Sequence, residues 1–171
     1  EMAFMAGVQQ QRILAILGGI ASGSVFREIR SIAVNLIERL QWMKPGTAAP
    51  DFELQCLQGG SKTLADYRGR YLYLCFIDLG SPASLAEMNL LADVYAKYND
   101  RIAFAAIVAQ GLTPGWSQVA RDYRMSWDLL SALGEIGLIE QYGATALPVV
   151  VLIDPQGKIY RYPAPSPSED L

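Results

Sequence analysis

Apolar positions recur along this chain with two different rhythms, and the change of rhythm divides it. Val25, Phe26, Ile29, Ile32, Ala33, Leu36, Ile37 and Leu40 return every three or four positions, while Arg27, Glu28, Arg30, Glu38 and Arg39 fall between them. That is the pattern of an amphipathic helix, capped by Ser24 and ended by Pro45-Gly46. Ahead of it, residues 2–17 read as a looser helix interrupted by Gly18-Gly19. From Pro50 onward strand patterns dominate. Residues 51–57 read as a strand, Gly59-Gly60 as a turn and residues 61–64 as a short return strand. Residues 71–78 and 101–108 are apolar on both faces, as in strands buried at the centre of a sheet. A helix over residues 81–98 lies between them, with Leu85, Met88, Leu91, Tyr95 and Tyr98 along one side. Strand, helix and strand joined by short connections imply a right-handed crossover and a parallel pair.

Residues 116–123 and 136–142 read as short helices, and residues 127–130 as a short extended piece. Residues 148–153 form a strand, Asp154-Pro155-Gln156-Gly157 a β-turn, and residues 158–162 the hairpin partner. Pro163-Ala164-Pro165-Ser166-Pro167 is too rich in proline for regular structure and should run extended. The order after residue 70 is thus β-α-β-α-β-β, a mixed sheet of α/β class with helices on its faces. Two regions are expected: a helical extension over 1–44, continuing from an upstream region, and a main domain over 45–171. The apolar stripe of the 24–40 helix needs a surface to bury against. Its own core, an upstream region or a second copy of the chain would each serve.

Composition narrows the function. Of 171 residues, 51% are apolar and 18% charged, which suits a packed core and excludes a disordered chain. A net charge of −3 with no basic cluster excludes a nucleic-acid surface. The apolar stretch from Ile13 to Phe26 falls short of the ~18–20 residues of a membrane span. No signal-peptide pattern is visible, and a start at Glu1-Met2 reads as a processed fragment. The chain has no histidine and two cysteines, Cys56 and Cys75. That removes Ser-His and Cys-His dyads and histidine metal sites, and no metal or cofactor is expected.

Three stretches together resemble the periplasmic thioredoxin-like redoxins, the TlpA/ResA-like and AhpC/TSA-like group. The first is Pro45-Gly46-Thr47-Ala48-Ala49-Pro50-Asp51-Phe52-Glu53-Leu54, followed by Leu64 and Asp66-Tyr67-Arg68-Gly69-Arg70-Tyr71. The second is Tyr73-Leu74-Cys75-Phe76 through Ser84 to Glu87. The third is Tyr142-Gly143-Ala144-Thr145-Ala146-Leu147-Pro148 with Leu152-Ile153-Asp154-Pro155-Gln156-Gly157-Lys158. The resemblance covers residues 45–168. It implies a thioredoxin-like three-layer fold, a central mixed sheet flanked by helices, with an N-terminal β-hairpin and a helical N-terminal extension. It also implies a bacterial cell-envelope or periplasmic location, a cis Leu147–Pro148 bond, and a C-terminal helix after the 163–168 tail.

The same resemblance places a redox pair, cysteine, two residues, cysteine, at the start of the first core helix. There the helix N-terminus stabilises a thiolate and the second thiol resolves the mixed disulfide. In this chain those positions are Ser81 and Ser84, around Pro82-Ala83, and Gly80 precedes them. A serine hydroxyl forms no disulfide, so exchange chemistry is expected to be lost at this degenerate site. Ser81 then reads as a helix cap with Pro82 at the first helical position, since no base is near to make it a nucleophile. Cys75 reads as a small buried hydrophobe; the functional alternative is a hidden thiol opening into the old cleft. A Cys56–Cys75 disulfide requires Cα atoms within about 7 Å. Asp78 and Glu87 read as a solvated carboxylate and a helix-surface residue. Trp116, Trp127 and tyrosines 71, 73, 95, 98 and 142 read as core or boundary residues.

Two functions compete. One is a non-catalytic module that holds a protein or an extended peptide between Gly80-Ser81-Pro82 and Leu147-Pro148. The other is a thiol–disulfide oxidoreductase or peroxidase-like enzyme using Cys75 or cysteines outside this chain.

Overall fold

The computed structural model describes residues 2–23, 29–30, 34 and 43–169. The chain divides into two compact units, Glu1–Lys44 and Pro45–Leu171. In the first, helix α1 (Met2–Gly23) runs through Gly18-Gly19 where an interruption was expected. Each glycine costs a helix only about 1 kcal/mol relative to alanine, which weakens it without breaking it. The Ser22 hydroxyl donates back to the Gly18 carbonyl at 2.8 Å, as serine does inside helices. The amphipathic helix expected over 24–40, and its docking, lie outside the described residues apart from Ile29, Arg30 and Val34, which are helical.

The second unit is built on seven strands: β1 (Glu53–Cys56), β2 (Ser61–Thr63), β3 (Tyr71–Asp78), β4 (Ile102–Gln110), β5 (Asp128–Ser131), β6 (Val149–Ile153) and β7 (Ile159–Arg161). Their order in the sheet is β2-β1-β5-β4-β3-β6-β7. β3 and β4 pair in parallel, as do β4 and β5; the other pairs are antiparallel. Helices α2 (Pro82–Tyr98), α3 (Trp116–Asp122) and α4 (Ile136–Gln141) connect them. β3 and β4 are buried on both faces, as their unbroken apolar runs require. Tyr73, Cys75 and Ile77 join Met88 and Leu91 of α2 and Ala120 of α3 in one core cluster. On the alternate positions of β3, Phe76 lies 4.9 Å, ring to ring, from Tyr142 at the end of α4. The Tyr142 hydroxyl donates to the Pro50 carbonyl at 2.6 Å.

Two local readings are corrected. Leu64 does not end β2; it opens a 3₁₀ turn over Leu64–Tyr67. The Asp66 carboxylate accepts the Thr63 N–H at 2.7 Å and its hydroxyl at 2.9 Å, which pulls the chain out of strand geometry. The extended piece at 127–130 is a full sheet strand, β5, so the order after residue 70 is β-α-β-α-β-α-β-β. The Gln58 side chain helps to hold it, donating to the Trp127 carbonyl at 3.0 Å and accepting the Leu129 N–H at 3.1 Å.

The β7 edge is covered at its first residue. Gly46 N–H donates to the Ile159 carbonyl at 2.7 Å, Ile159 N–H to Thr47 at 2.8 Å, and Ala49 N–H to Gly157 at 3.0 Å. The proline-rich tail runs without helix or strand as far as residue 169. Ala164 N–H donates to Val150 at 2.8 Å, and the Tyr73 hydroxyl to the Pro165 carbonyl at 2.7 Å.

Candidate functional site

Parallel strands that share a register end together. β3 runs out at Asp78 and pairs with Gln110 at the end of β4; β5 ends at Ser131, opposite Val108. β6 begins at the same end, with Val149 opposite Phe76, so Pro148 stands one residue beyond the ladder. The turn after β3, the start of α2, the loop after β4 and residues 143–148 therefore gather at the carboxyl end of the parallel strands.

The turn is fastened by its own polar groups. The Asp78 carboxylate accepts the Gly80 N–H at 2.7 Å, and the Asp78 carbonyl accepts the Ser81 N–H at 3.1 Å. Leu79 N–H donates to the Gln110 carbonyl at 3.1 Å. Asp78 is thus a half-buried turn anchor and not a merely solvated carboxylate. Gly111, at φ +73°, lies so close to the turn that a Cβ there would collide with Asp78 Oδ1 and the Gly80 nitrogen. Sequence reasoning missed Gly111; a glycine directly after a buried strand that ends beside the redox turn was the signal.

The two serines have different roles. Ser81 occupies the N-cap position of α2, with extended backbone and Pro82 just inside the helix. Its carbonyl accepts the Leu85 N–H at 3.0 Å, but its hydroxyl makes no capping bond. The cap reading therefore holds for the backbone and fails for the side chain. Ser84 is fully buried, and its hydroxyl accepts the Asp78 N–H at 3.1 Å. It ties the first turn of α2 to the last residue of β3.

Neither cysteine stands at the helix start. Cys75 is fully buried in the β3 cluster under α2, with Val150 and Ala164 in the same cluster. Burial, and secondarily the charge of Glu87, push its thiol well above the ordinary range. Cys56 is buried in β1 and donates to Gln58 Oε1 at 3.0 Å. Both cysteines are free, so no disulfide joins them. Glu87 is more than a helix-surface residue: its carboxylate accepts both the N–H and the hydroxyl of Ser168, pinning the tail to α2. Across the end of the sheet, Leu147 and Pro148 are half-buried, and their peptide bond is cis. Tyr73, Trp127 and Tyr142 are core; Trp116, Tyr95 and Tyr98 are half-buried; Tyr71 is exposed, edge-on to Tyr160 at 5.3 Å. No cluster of three potential metal ligands occurs among the described residues, and none of their helices is long and apolar enough to cross a membrane.

The AhpC/TSA family profile matches residues 45–162. The chain belongs to the AhpC/TSA family. It is 26% identical over 149 residues to the thiol-disulfide oxidoreductase ResA of Bacillus cereus, covering 86% of this chain and 81% of that one. Among solved structures, a putative thiol-disulfide oxidoreductase from Bacteroides vulgatus superposes with a TM-score of 0.67 at 24% identity, over 75% of this chain and 92% of that one. A thioredoxin-like protein from Bacteroides caccae gives 0.73 at 19% identity, over 89% of this chain and 57% of that one. The fold of this AhpC/TSA member is accordingly the expected thioredoxin-like α/β arrangement, a mixed sheet with helices on its faces. The comparisons relate the chain to thiol-disulfide oxidoreductases; the geometry says which groups it presents at the corresponding helix start: a hydroxyl at Ser81, Pro82, Ala83 and a buried hydroxyl at Ser84.

Proposed function

We propose that this AhpC/TSA-family domain is a binding module that holds a protein or an extended peptide without exchanging disulfides. The partner lies between Gly80-Ser81-Pro82 and Leu147-Pro148, and a cell-envelope location goes with the same family resemblance. The observation that carries this reading is the placement of the thiols. Exchange needs a thiolate that an incoming disulfide can reach. The chain's two thiols are buried, away from the start of α2, and burial holds the Cys75 thiol in its neutral form. The same burial weighs against an enzyme that uses Cys75. What the site does offer is backbone polar groups and small, exposed residues, Gly80, Pro82 and Ala83 among them. Thr145 and Ala146 are exposed beside the half-buried Leu147 and Pro148. An extended chain can pair with such a segment as it pairs with a sheet edge.

The test is disulfide-reductase turnover on a standard protein substrate, with the native chain beside a Ser81→Cys, Ser84→Cys double variant. A silent native chain and an active variant support a sound cleft from which only the chemistry is missing. Turnover by the native chain sinks the proposal and makes Cys75→Ala the next variant to measure.

A further inference from the structure

After β7 the chain leaves the sheet edge and crosses to α2, on the face that carries Cys75. Tyr73, Cys75 and Ile77 alternate on that side of β3, in one cluster with Met88 and Leu91 of α2. Cys75 and Val150 are partners across the β3–β6 ladder. Ala164 donates its N–H to the Val150 carbonyl at 2.8 Å, and it is buried in the same cluster as the thiol. One residue on, the Pro165 carbonyl accepts the Tyr73 hydroxyl at 2.7 Å, two positions before Cys75 on the same side of the strand. Ser168 then reaches α2, where the half-buried Glu87 carboxylate accepts its N–H at 3.0 Å and also its hydroxyl. Burial raises the Cys75 thiol first of all and the charge of Glu87 second, which puts the last of these fastenings within electrostatic reach of the sulfur.

We propose that residues 164–168 are a strap that gates the Cys75 thiol, latched by Glu87 and able to lift while the sheet and α2 stay folded. The strap has little apolar grip of its own: Ala164 is buried, but residues 165–167 are half-buried and Ser168 is exposed. A segment held mainly by polar fastenings opens at lower free energy than the buried strands and helix beneath it. Pro163, Pro165 and Pro167 keep it extended, so it lifts as an arm and not as a coil. Its far end is a turn in its own right. The Glu169 carboxylate accepts the Ser166 N–H at 2.8 Å, and the Ser166 carbonyl accepts the Glu169 N–H at 2.9 Å. That turn presents Ser168 to Glu87. Closed, the strap leaves the thiol neutral and out of reach. Lifted, it removes Ala164 from the cluster and the Pro165 carbonyl from Tyr73, and Cys75 meets solvent as an ordinary reactive thiol. The gate is independent of the binding role proposed above.

The experiment is the rate of iodoacetamide labelling at each cysteine of the folded chain, read by mass spectrometry of proteolytic fragments. Cys56 is the internal control, since it is buried in β1, three strands away from β3 in the sheet. Glu87→Ala removes the acceptor of two charge-assisted hydrogen bonds and should speed Cys75 labelling about tenfold. Ser168→Ala leaves the Glu87 charge in place and Tyr73→Phe leaves the ring in place; each removes one hydrogen bond and should speed it about threefold. Cys56 labelling should stay unchanged in all three, and Glu140→Ala, an exposed site on α4, should change neither rate. Cys75 rates that ignore the three variants overturn the proposal, because the sheet and α2 would then seal the thiol without the tail. Parallel acceleration at Cys56 and Cys75 overturns it as well, since the opening would be general unfolding. Native Cys75 that labels as fast as it does in denaturant means that the strap is not closed, and sinks the idea outright.

Discussion

The two ends of the sheet are made of different material. At one end β3 and β4 begin and β6 finishes, and charge is dense: Asp66, Arg68, Arg70, Asp100, Arg101, Asp128, Asp154 and Lys158. Much of it fastens turns. Asp154 accepts the N–H groups of Gln156 and Lys158 at 2.9 and 2.8 Å. Asp128 accepts the Tyr67 hydroxyl at 2.8 Å and lies 3.5 Å from Lys62. At the other end residues 79–85, 111–116 and 143–149 carry no charge and lean on small residues and backbone, with Asp78 and Glu135 the charges beside them. Gly111 packs into the Asp78–Gly80 turn, and Ser84 holds it from below. The difference teaches that charge fastens the turns at one end, while at the other small residues and backbone groups do most of that work.

Alkali should produce the largest effect on stability. Burial raises Cys75, Tyr67, Tyr73 and Tyr142, with the Asp128 hydrogen bond adding to the shift at Tyr67. Groups raised in the fold contribute stability that is complete below their ordinary values, about 8.5 for a thiol and about 10 for a phenol. That stability is lost as pH climbs past those values toward the folded ones. Thermal unfolding followed against pH should show Tm steady up to about 8.5 and falling steeply above about 10. Tyr67→Phe should shallow that fall and Ser81→Ala should not; equal effects would dissolve the contrast between the ends.

Glycine substitutions come next. Gly111→Ala should cost about 3 kcal/mol or more in denaturant unfolding, from a left-handed φ and a collision with the turn. Gly157→Ala, at φ +81° on the charged end with only Arg68 Nε nearby at 3.7 Å, should cost about 1 kcal/mol. A Gly111 variant as mild as the Gly157 one would mean that the site turn is not built on close approach.

The smallest effects separate the serines. Ser84→Ala leaves the Asp78 N–H without its partner and should cost about 1–2 kcal/mol. Ser81→Ala removes a hydroxyl that caps nothing and should change stability by about 0.5 kcal/mol or less. Reversal of that order in the same unfolding series would show that the capping geometry differs from the one described.

Much of this was legible in the chain. β3 and β4 stand out because burial on both faces leaves no polar position to blur the run. β5 was reduced to an extended piece because its apolar content is Leu129-Leu130, and part of its hydrogen bonding comes from Gln58, about seventy residues earlier. The spacing of Ser81 and Ser84 was readable from the family frame. Their division of labour was not, since a buried and an exposed serine look alike until the helix is set on the sheet. Gly111 and Glu87 were missed for one reason. Their partners, the Asp78–Gly80 turn and Ser168, become neighbours only through the parallel pairing of β3 with β4 and the return of the tail over α2.

The segment before β1 that pairs with β7 has a consequence for crowding. An outer strand normally shows a row of free N–H and C=O groups that can template a neighbouring molecule into a growing ribbon. Residues 46–49 already occupy that row at Ile159, the first of the three residues of β7, and the opposite outer strand, β2, is three residues long and carries Lys62. Neither flank of the sheet offers a long vacant register, so in concentrated solution strand-to-strand stacking has little on which to start.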